Sequence, residues 1–156
     1  MPDYNPVYPV LDIQESTSKQ EVFDAVVTHL RCQGRPAGHY DEEGGALMCF
    51  YRTEDDLACA AGCLLTDEQA GRLSSSDTAL KAVKTLKLPW EPAIRKLVSD
   101  LQLSHDLNQS YTGVPDSANA LNAPETWIPR VQDALSKTAL THGLNRDALR
   151  KWQEAS

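Results

Sequence analysis

The sequence lacks a long uncharged apolar run, and this excludes a transmembrane helix because a bilayer crossing needs about 20 predominantly apolar residues. Its first residues, Met-Pro-Asp-Tyr-Asn-Pro, also lack the basic start and the apolar stretch of a secretory signal peptide. We therefore expect a cytoplasmic protein. In that reducing compartment the four cysteines would remain thiols or metal ligands and would not form disulfides.

Basic side chains are outnumbered, with 15 Lys and Arg against 22 Asp and Glu and a net charge of -7. Direct binding to nucleic acid is not expected, because affinity for phosphate backbones comes mainly from clustered Lys and Arg. The charges are also uneven: acids concentrate between Asp41 and Asp56, and bases between Ala79 and Val98. This distribution either orients the approach of a charged partner or forms two solvated faces of opposite sign.

What is present is the composition of a globular domain, with 41% hydrophobic and 24% charged residues in 156 positions. Residues 1–17 contain several prolines and predict an extended proline-rich arm, since proline removes backbone donors and fixes φ. Residues 18–156 predict a single helical domain. The short apolar and aromatic segment at residues 46–52 predicts a strand. The predicted fold is therefore mainly α (α+β), a helical bundle with one small β element.

Helix signals recur along residues 18–156. Ser18 and Glu21 form a capping box, and Gly34 ends the apolar repeat that follows them. Thr66 and Gln69 form a second capping box. Further helices are predicted at about residues 57–65, 77–86, 92–105, 127–143 and after Asn145.

Three of the four cysteines, Cys49, Cys59 and Cys63, lie close together in the sequence. On a helix Cys59 and Cys63 would face the same side and, with Cys49, could hold a metal ion. The usual zinc signature of Cys-x-x-Cys pairs is absent, and buried cysteines commonly pack as small hydrophobes. No cofactor is expected, and a metal site stays an alternative whose fourth ligand would be Cys32, His39 or His105.

A reactive thiol is another hypothesis for the same segment. If a helix begins near Leu57, Cys59 lies in its first turn, where the helix dipole favours the thiolate. His105 is the first candidate for the base, and Asp106 is the second. The adjacent His105 and Asp106 are not expected to form a triad with the thiol easily, because neighbouring helical side chains diverge by about 100°. Since His105 continues an apolar helix face, a hydrogen-bonded core histidine is the alternative.

The His105-Asp106 doublet is also found in a class of all-helical, metal-dependent phosphohydrolases. Such a site would need His29 and either Asp133 or Asp147 on neighbouring helices. The spacing of these residues does not match that pattern well.

Arg52 follows Tyr51 at the end of the predicted strand, where a guanidinium can bind a phosphate or carboxylate through paired donors. Gln102, one turn before Asp106, adds a polar side chain to the helix that carries His105. The alternative for Arg52 is an ion pair with a nearby acid: Glu54, Asp55 or Asp56.

Several short blocks resemble a family of small proteins of unassigned function encoded by tailed bacteriophages and prophages. The blocks are Cys49-Phe-Tyr-Arg52, Cys59-Ala-Ala-Gly-Cys-Leu-Leu-Thr-Asp67, Ser99-Asp-Leu-Gln-Leu-Ser-His-Asp106, Trp127 and His142-Gly-Leu144. The chain departs from the family at Thr66, where proline is common, and in a longer connection over residues 108–123. The resemblance implies a viral accessory protein in the host cell cytoplasm, and it assigns no catalytic residue.

The first functional hypothesis is a phage-type accessory protein that binds a small polar ligand, such as a host signalling nucleotide, or a host protein. A homodimer is a further expectation. Residues 108–123 would form a lid over the cleft, because long loops often serve in binding. The expected ligand-binding residues are Tyr51, Arg52, Cys59, Gln102, His105 and Asp106.

Two alternatives remain open. One is a cysteine-dependent hydrolase or transferase with Cys59 as nucleophile and His105 as base. The other is an acidic mimic of nucleic acid that uses Asp41–Asp56.

Overall fold

The computed structural model describes residues 4–40, 47–49, 51–74, 77–106 and 124–155. Helices dominate these ranges, so the prediction of a mainly α fold is confirmed. None of the helices in the described ranges has the length and apolar character that a membrane crossing requires. The helices are α1 (Lys19–Gln33), α2 (Asp67–Gly71), α3 (Ala79–Leu86), α4 (Pro92–Asp106), α5 (Pro124–His142) and α6 (Asp147–Ala155).

The predicted helix caps are present. At the start of α1, the Ser18 hydroxyl accepts from the Glu21 amide at 3.1 Å and the Glu21 carboxylate accepts from the Ser18 amide at 3.2 Å. Thr66 and Gln69 exchange the same two bonds at the start of α2. Gly34 ends α1 with φ 72°, a left-handed conformation that favours glycine. Local sequence therefore determines where these helices begin and end.

The core lies where α4 packs against α1, α3 and α5, and α6 packs against α1 and α5. The apolar repeat of α1 faces this core, as predicted. Each large side chain buried in this way stabilises the fold by about 1.5–3 kcal/mol. The largest fully buried side chains include Phe23, Leu30, Leu97, Leu101, Trp127 and Leu135.

The predicted strand over residues 46–52 is not found at that length. Strand β1 (Gly38–Tyr40) pairs antiparallel with β2 (Leu47–Cys49), and Ala46 and Phe50 lie outside the described residues. Tyr51 and Arg52 form a bend, not a strand. The backbone of Tyr51 lies against Gly62 so closely that a Cβ on Gly62 would be 2.1 Å from the Tyr51 carbonyl oxygen. Tyr51 therefore contacts the segment after it in the chain.

The predicted helix over residues 57–65 is wrong, although the segment is buried as expected. Only a 3-10 turn forms, at Gly62–Leu64. The backbone of Ala58 bonds to α1: its N–H donates to the Gln33 side chain at 2.9 Å and its carbonyl contacts His29 Nε2 at 2.8 Å. These side chains replace the helical hydrogen bonds, which sequence periodicity alone could not reveal.

The described part of the proline-rich arm, residues 4–17, contains no helix and lies on the domain. The Val10 N–H donates to the Cys63 carbonyl at 2.8 Å. The Arg52 guanidinium carbon lies 3.7 Å from the centroid of the Tyr8 ring, and the Tyr8 hydroxyl donates to the Asp56 carbonyl at 2.7 Å. The arm therefore packs over the 52–63 segment. The predicted loop at residues 108–123 lies outside the described residues.

Candidate functional site

Gln102 connects α4 to the cysteine segment. Its side-chain oxygen accepts from the Ala61 N–H at 2.9 Å, and its amide nitrogen donates to the Asp106 carboxylate at 3.0 Å. Because Ala61 lies between Cys59 and Cys63, the structure brings the predicted thiols and the end of α4 together. Gln102 itself is buried, with 6% of its surface exposed.

His105 is fully buried and uses both ring nitrogens inside the protein. Its Nε2 must be an acceptor, because the Ala37 backbone N–H donates to it at 3.1 Å. The proton is therefore on Nδ1, which donates to Asp106 Oδ1 at 2.7 Å. Trp127 packs edge-on against the ring, with centroids 5.7 Å apart, and donates from Nε1 to the His105 carbonyl at 3.2 Å.

His105 and Asp106 are therefore hydrogen-bonded to each other, although the remaining ring nitrogen bonds to Ala37 and no triad with Cys59 forms. The Cβ directions of adjacent helical residues do diverge. However, Nδ1 of histidine and Oδ1 of aspartate lie only two bonds beyond Cβ, so both atoms stay near the helix surface and meet. The pair stabilises one tautomer of a core histidine, which agrees with the hydrogen-bonded alternative.

The cysteines are enclosed. Cys59 and Cys63 have no exposed surface; the Cys59 sulfur accepts from the Gly62 N–H at 3.3 Å, and the Cys63 thiol donates to the Ala60 carbonyl at 3.1 Å. Burial raises the pKa of the Cys63 thiol. Since no α-helix begins at Leu57, the helix-dipole argument for a Cys59 thiolate does not apply.

No cluster of three or more His, Cys, Asp or Glu within the described residues is arranged to hold a metal ion. The side chain of Cys49, one of the three candidate ligands with Cys59 and Cys63, lies outside the described residues, as does that of His39.

Arg52 bonds to its own fold. Its guanidinium contacts the Asp67 carboxylate and donates to the carbonyl oxygens of Gly62 and Leu65, each at 3.2 Å. The expected partner acids Glu54, Asp55 and Asp56 are not the ones used. The 3-10 turn and the residue after it present carbonyl oxygens to Arg52, and the start of α2 presents Asp67. Only 11% of the Arg52 side chain is exposed, and the Tyr8 ring packs on its guanidinium. Arg52 therefore stabilises the 3-10 turn.

The hydroxyl of the neighbouring Tyr51 is also hydrogen-bonded within the fold. Its ring is buried, and its hydroxyl donates to the Asp77 carbonyl at 2.5 Å. The candidate residues from the sequence are therefore near one another, but their polar groups bond mainly to backbone and to each other.

His29 is a second buried histidine. Its Nδ1 accepts from the Tyr4 hydroxyl at 2.9 Å, and its Nε2 donates to the Ala58 carbonyl at 2.8 Å. Burial lowers the pKa of His29 to about 4, since desolvation disfavours the charged ring more than the Ala58 carbonyl favours it. The phosphohydrolase-like set is not assembled: Asp133 pairs with Lys137 at 3.1 Å and Asp147 with Arg150 at 3.5 Å.

One polar cluster was missed by the sequence reasoning. His142 at the end of α5 contacts Asp100 of α4 at 2.8 Å, and Lys96 contacts the other Asp100 oxygen at 3.1 Å. Both members of the His–Asp pair are less than a tenth exposed. The pair joins α4 to α5. In the sequence, the only indication of it is that Asp100 and His142 both lie in blocks that resemble the phage protein family.

A groove of about 800 Å³ was also missed. It lies between the end of α1 and the start of α5, and α6 contributes to its wall. Volumes of roughly 300–1,000 Å³ are typical of small-molecule sites. We call it the arginine groove, and its described lining is Arg31, Gln33, Gly34, Arg35, Pro124, Glu125, Ile128, Pro129, Gln132, Trp152 and Ala155.

The charged side chains of the arginine groove have no ion-pair partner among the described residues. Arg31 and Arg35 are exposed, and within the described ranges neither guanidinium has a hydrogen-bond or ion-pair partner. Trp152 is 4% exposed and Ile128 is half-buried, so the wall between the charges is apolar. The sequence places two arginines around Gly34, but only the tertiary structure places them opposite α5.

Comparison with protein-family models, with curated proteins and with solved structures finds no match.

Proposed function

We propose that this chain is a binding protein that holds a small organic ligand in the arginine groove. The observation that carries the proposal is the combination of an apolar wall, from Ile128 and Trp152, with two guanidiniums, of Arg31 and Arg35, that have no partner among the described residues. Ligand sites typically combine apolar surface with a few polar groups that orient the ligand. In the resemblance to phage accessory proteins, such a protein would act in the cytoplasm of a bacterial host.

The cleft expected around Arg52, Cys59 and His105 is not the proposed site. The Arg52 guanidinium, the Cys59 sulfur and the His105 ring already bond within the fold. For the same reason we favour binding over the cysteine-dependent hydrolase. A nucleophile and a base that are both 0% exposed have no route to substrate without an opening of the core. Binding of a host protein and homodimer formation stay predictions of the sequence.

The test fills the groove without altering the core. Ala155 is exposed and lines the groove, so Ala155→Trp should obstruct it. Gln153→Trp is the matched control, because Gln153 is exposed on the same helix and is not part of the described lining. The probe is naphthalene sulfonamide, a neutral molecule of about a dozen heavy atoms.

Binding is followed by NMR through the indole N–H of Trp152. A binding free energy of about 0.3 kcal/mol per heavy atom gives an expected Kd of ~1 mM for the wild type and for Gln153→Trp. Ala155→Trp should weaken binding at least tenfold. Equal binding to all three proteins, or shifts confined to residues outside the groove, would contradict the proposed site.

A further inference from the structure

The charges on the arginine groove are unequal. Two arginines, Arg31 and Arg35, stand against one acid, Glu125, among the described lining residues. All three are exposed and have no ion-pair partner in the described part of the chain. The excess of positive charge contrasts with the whole chain, whose net charge is -7.

The two arginines both line the groove from the end of α1. Arg31 is in the last turn, and Arg35 follows Gly34, whose left-handed conformation ends the helix. The Gln33 side chain donates to the Arg35 carbonyl at 2.9 Å and to the Ala58 carbonyl at 3.1 Å. The backbone at Arg35 is therefore held to the core while its guanidinium stays available.

The opposite wall, from α5 and α6, carries several apolar side chains. Trp152 is buried between α6 and the core, with its ring 6.5 Å from that of Trp127. Ile128 and the prolines of α5 continue this wall along the groove. A flat apolar group would displace water from it, and each apolar Å² removed from water contributes about 25 cal/mol.

We infer that the ligand of the arginine groove is a small organic anion. Its carboxylate, sulfonate or phosphate group lies at Arg31 and Arg35, and its flat apolar body lies against Ile128 and Trp152. Guanidinium suits this role because its planar donors bind two oxygens of one anion at once. The inference rests on the proposed function and adds the charge class of the ligand.

The experiment compares three probes with the same naphthalene body and different charges: naphthalene sulfonate (anion), naphthalene sulfonamide (neutral) and naphthylmethylammonium (cation). Dissociation constants are measured by calorimetry and by the Trp152 indole resonance at low and high salt. We expect the sulfonate to bind at least tenfold tighter than the sulfonamide, and the cation to bind weakest. High salt should reduce this preference, because both arginines are exposed and screened.

The variants identify the groups responsible. Arg31→Gln with Arg35→Gln should lower the affinity for the sulfonate to that for the sulfonamide and leave sulfonamide binding within twofold. Arg72→Gln with Lys84→Gln removes the same charge at exposed positions outside the described lining and should preserve the preference. Glu125→Gln removes the competing carboxylate and should tighten sulfonate binding.

The outcomes separate this inference from the proposed function. If sulfonate and sulfonamide bind equally and Ala155→Trp blocks both, the groove binds ligands but the anion inference is overturned. Loss of preference in the Arg72/Lys84 control would also overturn it, because general charge attraction would then explain the result. If none of the probes binds in the groove, both proposals fail.

Discussion

Two polar regions of this protein differ in what their side chains contact. Around Gln102 and His105, side-chain donors and acceptors bond to buried backbone groups such as the Ala61 and Ala37 amides. In the arginine groove, Arg31 and Arg35 face solvent without partners in the described part of the chain. Residue type predicted function only in the first region. Burial and partners show that the polar groups of the first region are used within the fold, and our binding proposal rests on the second.

The largest expected effect tests the close packing beside the interior region. A Cβ at Gly62 would lie 2.1 Å from the Tyr51 carbonyl oxygen, so Gly62→Ala must move the backbone. We expect the free energy of unfolding to fall by about 3 kcal/mol or more, measured by urea denaturation. Gly71→Ala is the control, because nothing lies within 4 Å of its added methyl group. The free energy of unfolding of Gly71→Ala should rise by about 0.4–1 kcal/mol. Equal stability of the two variants would contradict the close approach of Gly62 to the Tyr51 backbone.

The second effect depends on pH and tests the buried His29. The ring binds a proton with a pKa of about 4 in the folded state, against 6.5 for the ordinary side chain. At a pH between these values, His29 is protonated in the unfolded chain and neutral in the folded chain. Stability is therefore full above pH ~6.5 and falls as pH decreases towards ~4, by on the order of 3 kcal/mol.

Urea denaturation of the wild type and of His29→Gln across this pH window isolates the contribution of His29. The variant should be less stable at neutral pH and should show a smaller decrease on acidification. An identical pH profile for the two proteins would mean that His29 is not neutral and buried in the folded protein. Tyr4→Phe, which removes only the hydroxyl donor to Nδ1, should retain most of the pH dependence.

The smallest effects compare the two regions directly. Gln102→Met keeps the shape of the side chain but leaves the buried Ala61 N–H without its acceptor. Loss of a buried partner typically costs about 1–3 kcal/mol. The double variant Arg31→Gln with Arg35→Gln changes exposed groups and should alter stability by less than about 0.5 kcal/mol. Thermal and urea unfolding measure both, and a large loss in the arginine variant would show that the groove is structural.

Local chemistry made parts of this fold predictable. The capping boxes at Ser18 and Thr66, the glycine after α1 and the apolar faces of α1 and α4 act over a few residues, so the sequence displays them directly. The mainly α class follows from these signals. Prediction failed at residues 57–65, where small apolar residues suit a helix equally well. There the Gln33 side chain accepts from the Ala58 N–H, so this amide has a partner without the backbone becoming helical.

The candidate site was predictable only as a set of residue types. The sequence identified Arg52, Cys59, Gln102 and His105 as capable of chemistry, and the fold does bring them near one another. It could not show that the Ala37, Ala61 and Gly62 amides take up their hydrogen bonds, because these partners are distant in sequence or depend on a turn. Arg31 and Arg35 carried no comparable motif, so they were missed.

By itself the sequence determined the helical class, the ends of several helices and the apolar faces that form the core. These properties depend on hydrogen bonds and periodicities that act within one or two turns of a helix. Only the tertiary structure decided which polar side chains are hydrogen-bonded within the fold and which are exposed to solvent. That decision depends on contacts between residues far apart in the chain, where the fold sets the burial and the partner of each group.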